Sequence, residues 1–374
     1  MAHPQPRQQQ PVVTNRVETI LGWPTDTVSI DFLPPHNDNE QTMPPVVVHT
    51  VLLFVPGNPG LVGWYVPMLR EIVRRLGPGY ACRGVSYAGH GLTDETVRVE
   101  DYEKSGGTRD TKVCWSVNGQ VRHKIAWMDG VQAEFSAAAA SWIFVSHSIG
   151  AHMVQRLCVV CPNVLRRTVL FLHWMPFVRM DSYRHKQWLL STVANHPQTT
   201  IGLGKQVSSR LFGNLPQSLV DAMLQTSVPD GRDIAVTLLR TPTFARNFFE
   251  LGLEEIRDVP QAPDVSTGAL DHIGVFWFLP TLLLRCKQLA AYRLLGQQCP
   301  VCILFAGNDQ WAPEFHQSDL ERLQAQGLIP SGSIRTTLLP RLVHAFVVVP
   351  WMVDQVVEYS LDNIASVVGK HSKL

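Results

Sequence analysis

Three residues, Ser148, Asp309 and His344, have types and an order that could do chemistry together. A serine hydroxyl is a weak nucleophile. It attacks a carbonyl when a base removes its proton, and a histidine base works best when a carboxylate orients it. Ser148 stands in FVSHSIG (144–150), just after the apolar run WIFV. The spacing small-x-Ser-x-Gly, from Ser146 to Gly150, is that of a nucleophile elbow. That turn is strained, so the residues two positions away on each side must be small. Gly150 meets this requirement, and Ser146 is small although glycine is usual there. Such a fragment arises by chance in many chains of this length, so its context decides.

The context is consistent. In folds with this elbow the chain order is serine, acid, histidine, with the acid and histidine in loops after later strands. Asp309, in FAGNDQW, follows an apolar stretch at 301–307, and His344, in LVHAF, follows one at 333–340. The developing oxyanion needs two donors. One is the N–H of Ile149, at the start of the helix behind the serine. The other belongs to the loop PGNPG at 56–60, where Pro59 has no N–H and Asn58 is the best donor. Gly57 and Gly60 allow a close approach.

Other candidates rank lower. His90 in AGHG is expected to make a structural hydrogen bond. Asn118 is expected to cap its helix, and His147 to point the wrong way for a base. Asp271 and His272 form a rival acid/base pair, but they precede the later strands. An epoxide hydrolase or dehalogenase would carry aspartate at the elbow, where this chain has Ser148.

The elements that must position these residues alternate. Strands are expected at 46–55, 82–89, 141–146, 167–174, 301–307 and 333–340, and helices at 64–77, 118–135, 150–160, about 314–326 and from about 351. This alternation predicts a mostly parallel central sheet with helices on both faces, with RVETILGW and DTVSIDFL as a leading antiparallel hairpin. Over 120 residues separate Trp174 from the next strand, far more than an ordinary connection. The expected organisation is a disordered lead-in at 1–16, a core at 17–174 and 301–374, and a large helical cap at 175–300. The cap is rich in aromatic residues and includes GVFWFLPTLLL (274–284).

With 45% hydrophobic and 17% charged residues and a net charge of +1, the composition is globular and lacks the basic footprint of a nucleic-acid binder. The N-terminus lacks a signal-peptide pattern, and no run reaches the length of a spanning helix. An intracellular, soluble or peripherally bound protein is expected. Seven cysteines include two CxxC pairs, Cys158/Cys161 and Cys299/Cys302, too far apart in sequence for the usual zinc signatures. Cys299 and Cys302, leading into a strand, are expected to point to opposite faces.

VPGNPGLVGWY, VSYAGHG, WSVNGQVRHKIAWM, SHSIGAHM, AGNDQWAP and VHAF run in order from about residue 46 to the C-terminus. Together they resemble the lipid-droplet-associated hydrolase family of α/β-hydrolases. The resemblance implies an α/β-hydrolase fold, a triad of Ser148, Asp309 and His344, and lipid ester substrates, sterol or acylglycerol esters among them. It also implies a place on the cytoplasmic surface of lipid droplets and the endoplasmic reticulum, with the segment 270–286 as a peripheral lipid contact. No metal or cofactor is required. Two positions depart from the family pattern: Ser146 replaces glycine and Val343 replaces proline. A protein acting mainly through its surface at lipid droplets or the endoplasmic reticulum, with a weak or vestigial site, is the alternative reading.

Overall fold

The structure is a computed structural model that describes residues 10–32, 47–91, 114, 116–178, 192, 195–206, 249–256, 287–307, 309 and 311–371. Val12–Ile20 (β1) and Trp23–Asp31 (β2) form the leading hairpin, antiparallel as expected. Thr50–Val55 (β3), Tyr80–Val85 (β4), Ser141–His147 (β5), Thr168–Trp174 (β6), Val301–Ala306 (β7) and Ile334–Leu339 (β8) complete an eight-stranded sheet. The strand order is β1-β2-β4-β3-β5-β6-β7-β8. Only the pairings β1/β2 and β2/β4 are antiparallel, and the other five are parallel.

β1 opens at Val12 and corrects the expected lead-in, because residues 12–16 of that stretch pair with Thr27–Asp31. The strand was hard to read because most of its side chains are exposed on both faces, which removes the apolar alternation. Residues 1–9 lie outside the described residues.

β3, β5 and β7 are buried over almost their whole length, which is why they read as continuous apolar runs. Helices cover both faces. On one face, Val117–Glu134 (α2), Ile149–Val160 (α3) and Pro162–Arg167 (α4) pack over Val51, Leu53, Phe144, Phe171 and Ile303. On the other, Val66–Leu76 (α1) and Pro350–His371 (α9) pack over Leu52, Phe54, Val145, Leu172 and Leu304. Between them in sequence lie Pro197–Gln206 (α5), a helix at 249–256 (α6), Lys287–Gln298 (α7) and Phe315–Ala325 (α8).

Within the range expected for the cap, α7 departs from the expectation. Its Tyr292 and Leu295 pack into the first core, and the helix leads directly into β7. Leu251, Leu253 and Ile256 of α6 join the same core. The segment 270–286, with Asp271 and His272, lies outside the described residues. Among the described residues, no helix is long and apolar enough to cross a membrane. Cys299 packs in the first core and Cys302 in the second, so this pair points to opposite faces of the sheet as expected.

Candidate active site

Ser148 sits between β5 and α3 with φ 53° and ψ −127°, in the region that L-residues rarely adopt. That conformation turns the chain sharply enough to stop a strand and begin a helix within one residue. It is held from both sides. The Ser148 N–H donates to Trp174 O (3.0 Å), and the Ser148 carbonyl accepts from Ala151 N (3.1 Å). Packing sets the size rule at position 150: a Cβ there would lie 2.4 Å from Pro56 O. Position 146 obeys a looser rule. The Ser146 hydroxyl turns toward β6 and meets His173 Nδ1 at 2.7 Å, in direct register across the β5/β6 pair.

The three expected residues meet. His344 Nε2 lies 2.8 Å from Ser148 Oγ, and His344 Nδ1 lies 2.7 Å from Asp309 Oδ2. Asp309 follows β7 and His344 follows β8, so adjacent parallel strands deliver both to the end of the sheet where Ser148 stands. Asp309 is 1% exposed. Its other oxygen accepts from Trp311 N (2.8 Å) and Ala312 N (3.0 Å), which fixes the carboxylate plane. Burial alone would raise this carboxyl, but the facing His344 and those two amides outweigh it and hold Asp309 below the usual carboxylate range. A carboxylate beside Nδ1 favours the tautomer with its proton there, leaving Nε2 free to accept from the serine.

Gly57 brings the PGNPG loop against the elbow. A Cβ on Gly57 would lie 2.8 Å from Ser148 Cβ, so only glycine permits this approach. Within the loop, Gly60 N donates to Gly57 O (2.6 Å), and the Gly57 N–H is directed at the Tyr65 phenol. Asn58, the donor expected from sequence, follows Gly57 in this loop. Ile149 is the first residue of α3, where no intrahelical acceptor exists for its N–H.

Of the residues around this line, Tyr65 and Ser116 carry no clear sequence signal. Tyr65 Oη lies 2.8 Å from His147 Nδ1, and the His147 ring packs 4.8 Å from that of His344. His147 is therefore engaged away from Ser148, as expected. Burial holds it well below the ordinary histidine value, so it stays neutral. His90 is the expected structural group: Nδ1 faces Pro59 O at 2.9 Å and Nε2 faces Cys114 O at 3.4 Å. Burial lowers it to about 4. Asn118 does not cap α2. Ser116 does, accepting from Gly119 N (2.9 Å), because the helix begins at Val117 and so places Asn118 inside its first turn.

The motif NGQVRHK builds a second polar cluster on α2. Gln120 bonds Ala88 N, Ala88 O and Cys114 O at 3.0–3.1 Å. Lys124 Nζ donates to Ser86 O (2.9 Å) and lies 3.1 Å from His123 Nδ1, whose Nε2 meets Thr25 Oγ1 at 2.9 Å. This cluster fixes the turn after β4. The turn in turn holds the PGNPG loop, since Tyr87 Oη donates to Pro56 O (2.6 Å) and Tyr87 N to Gly60 O (2.8 Å).

Comparison with known proteins agrees with this architecture. A haloalkane dehalogenase from Agrobacterium tumefaciens superposes with a TM-score of 0.57 at 14% identity, covering 95% of this chain and 97% of that one. A peroxisomal alpha-beta-hydrolase from Saccharomyces cerevisiae gives 0.55 at 10% identity, covering 97% and 90%. These likenesses show an α/β-hydrolase fold and nothing finer. In sequence, the chain is similar to the human lipid droplet-associated hydrolase, 24% identical over 123 residues, 32% of this chain and 37% of the relative. It is also similar to the Drosophila melanogaster protein of that name, 28% identical over 109 residues, 29% and 32% of the two chains. The matched stretches thus span about a third of the length of these relatives. The profile of the family described as lipid-droplet associated hydrolase matches residues 48–347, from the start of β3 through the His344 loop. A match of that extent, on this fold, means that the chain belongs to the lipid-droplet associated hydrolase family.

Proposed function

We propose that the chain is a serine hydrolase of lipid carboxylic esters, sterol or acylglycerol esters among them, working at the cytoplasmic surface of lipid droplets and the endoplasmic reticulum. One observation carries the catalytic part: the hydrogen-bonded line Asp309–His344–Ser148, at 2.7 and 2.8 Å, ending on a serine held at positive φ. His344 takes the proton of Ser148 as Oγ attacks the ester carbonyl. The N–H groups of Ile149 and Asn58 receive the oxyanion. The tetrahedral species collapses to an acyl-enzyme as His344 returns the proton to the departing alcohol. Water, deprotonated by His344, then attacks the acyl-enzyme and frees the acid and Ser148. Asp309 keeps the imidazole oriented and stabilises it while it is charged.

Lipid as the substrate class, and the droplet surface as the place, are supported by family membership and by the names of the relatives. A fluorophosphonate probe followed by a panel of lipid esters tests the reading. The wild type is expected to label and to hydrolyse at least one ester, and Ser148→Ala to do neither. Equal labelling of wild type and Ser148→Ala would sink it and leave the surface role as the working account.

A further inference from the structure

Glu255 is a carboxylic acid to which the mechanism above gives no task. It lies on α6 and is 2% exposed. Its helix neighbours Leu251, Leu253 and Ile256 belong to the first core. Its Oε1 has no hydrogen-bond partner among the described residues. Burying a polar group unpaired is costly, so such a group calls for a ligand or partner that completes it.

Its position points to the candidate site. At Gly252, α6 reaches the PGNPG loop, where a Cβ would lie 3.3 Å from Asn58 Nδ2. Glu255 follows three residues later, on the same helix face. It lies close enough to the Tyr87 phenol to disfavour ionisation of that group, which donates to Pro56 O at the root of that loop. Pro56 and Asn58 flank Gly57, which is packed against Ser148.

We propose that Glu255 is a recognition residue for a hydroxyl group carried by the ester substrate. The proposal rests on the serine-hydrolase reading. Burial pushes this carboxyl well above the usual range and so favours its uncharged form, which can both donate and accept a hydrogen bond. A hydroxyl is its neutral counterpart, giving and taking a hydrogen bond in the same way. A cationic headgroup would instead require Glu255 to ionise among Leu251, Leu253, Ile256 and Tyr87. The substrate class is therefore an ester that keeps a free hydroxyl on its alcohol or acyl part, as a partial glyceride does.

Binding separates this proposal from the hydrolase reading. In Ser148→Ala, calorimetry compares the mono-octyl ether of glycerol with octyl methyl ether, neither of which can be hydrolysed as an ester. The glycerol ether is expected to bind about tenfold more tightly. Adding Glu255→Leu should erase that preference. Equal affinities in Ser148→Ala, a preference that survives Glu255→Leu, or tighter binding of octylammonium would each overturn it. If Glu255→Leu does not fold, the carboxylic C=O stretch assigned by its loss in Glu255→Gln carries the test. That band should shift with the glycerol ether and not with the methyl ether, and an unmoved band overturns the proposal. Failure of the wild type to label would count against the hydrolase reading and leave these binding results unchanged.

Discussion

At the carboxyl end of β5, Asp309, His344 and Ser148 form a line in which the histidine side chain keeps 21% of its surface exposed. Beneath the turn after β4, Gln120, His123 and Lys124 form a cluster in which all three residues are fully buried. Both sets pair a histidine with a charged or polar neighbour; the first lies against the PGNPG loop, and the second reaches it through the turn that carries Tyr87. They differ in what faces the histidine. His344 has a buried carboxylate on one nitrogen and a hydroxyl on the other. His123 has the Thr25 hydroxyl on one side and the Lys124 amine on the other, and burial together with Lys124 holds it well below its ordinary value. The first histidine faces a carboxylate, and the second faces an amine.

The largest expected effect breaks that asymmetry at its source. Asp309→Asn keeps the shape but removes the charge that, in the proposed mechanism, orients and stabilises the imidazolium. Turnover of an ester, followed by initial rates, should fall by about 10⁴-fold while thermal melting changes little. A fall of less than tenfold would mean that His344 does not depend on Asp309. By contrast, Gln120→Leu should act on stability. It leaves Ala88 N, Ala88 O and Cys114 O without their side-chain partner, at a cost of about 2–4 kcal/mol in denaturant unfolding. The labelling rate of the folded fraction should stay within about tenfold of wild type. A large rate loss at unchanged stability would place this cluster with the chemistry and erase the contrast.

The titration of Lys124 sharpens it further. Burial holds this amine well below its ordinary value of 10.5. The unfolded chain therefore binds a proton that the folded chain does not, from the lowered value of the folded amine up to 10.5. Stability at this site rises with pH across that window and falls as pH drops. The wild type should gain stability relative to Lys124→Met between about pH 7 and about pH 9.5, by at most about 1.4 kcal/mol per pH unit. A gap independent of pH would show that Lys124 keeps its charge inside the fold.

These two regions were unequally legible in the sequence. Ser148, Asp309 and His344 could be read because strand alternation places them: each follows an apolar run, and parallel neighbours bring the three run ends together. The leading hairpin was read from its composition, although its first strand starts at Val12, inside a stretch whose exposed side chains carry no period. Cluster residues such as Lys124 were not readable in this way. Lysine at helical spacing signals an exposed face, and partners such as the carbonyl of Ser86, delivered by a distant turn, make burial tolerable. The same holds for Ser116, whose capping role depends on where the helix begins, and for Glu255, whose burial depends on how α6 lies on the core.

Ser146 stands between the two kinds of site, and it is where the smallest effect is expected. Glycine at this position would relieve the crowding of the elbow, so the serine looks like a cost to the chemistry. Its hydroxyl instead points along the sheet to His173 Nδ1 at 2.7 Å, away from the helix that follows Ser148. His173 is fully buried and lowered to about 3 by that burial, so it stays neutral and needs a partner rather than a charge. Ser146→Gly removes that partner and adds backbone freedom. It should cost about 1–2 kcal/mol in denaturant unfolding. The fluorophosphonate labelling rate should change by less than about threefold, because the geometry of Ser148 is fixed by Trp174 O, Ala151 N and the Pro56 contact at Gly150. A gain well above that, with stability unchanged, would mean that the hydroxyl strains the turn and that the serine belongs to the first region after all.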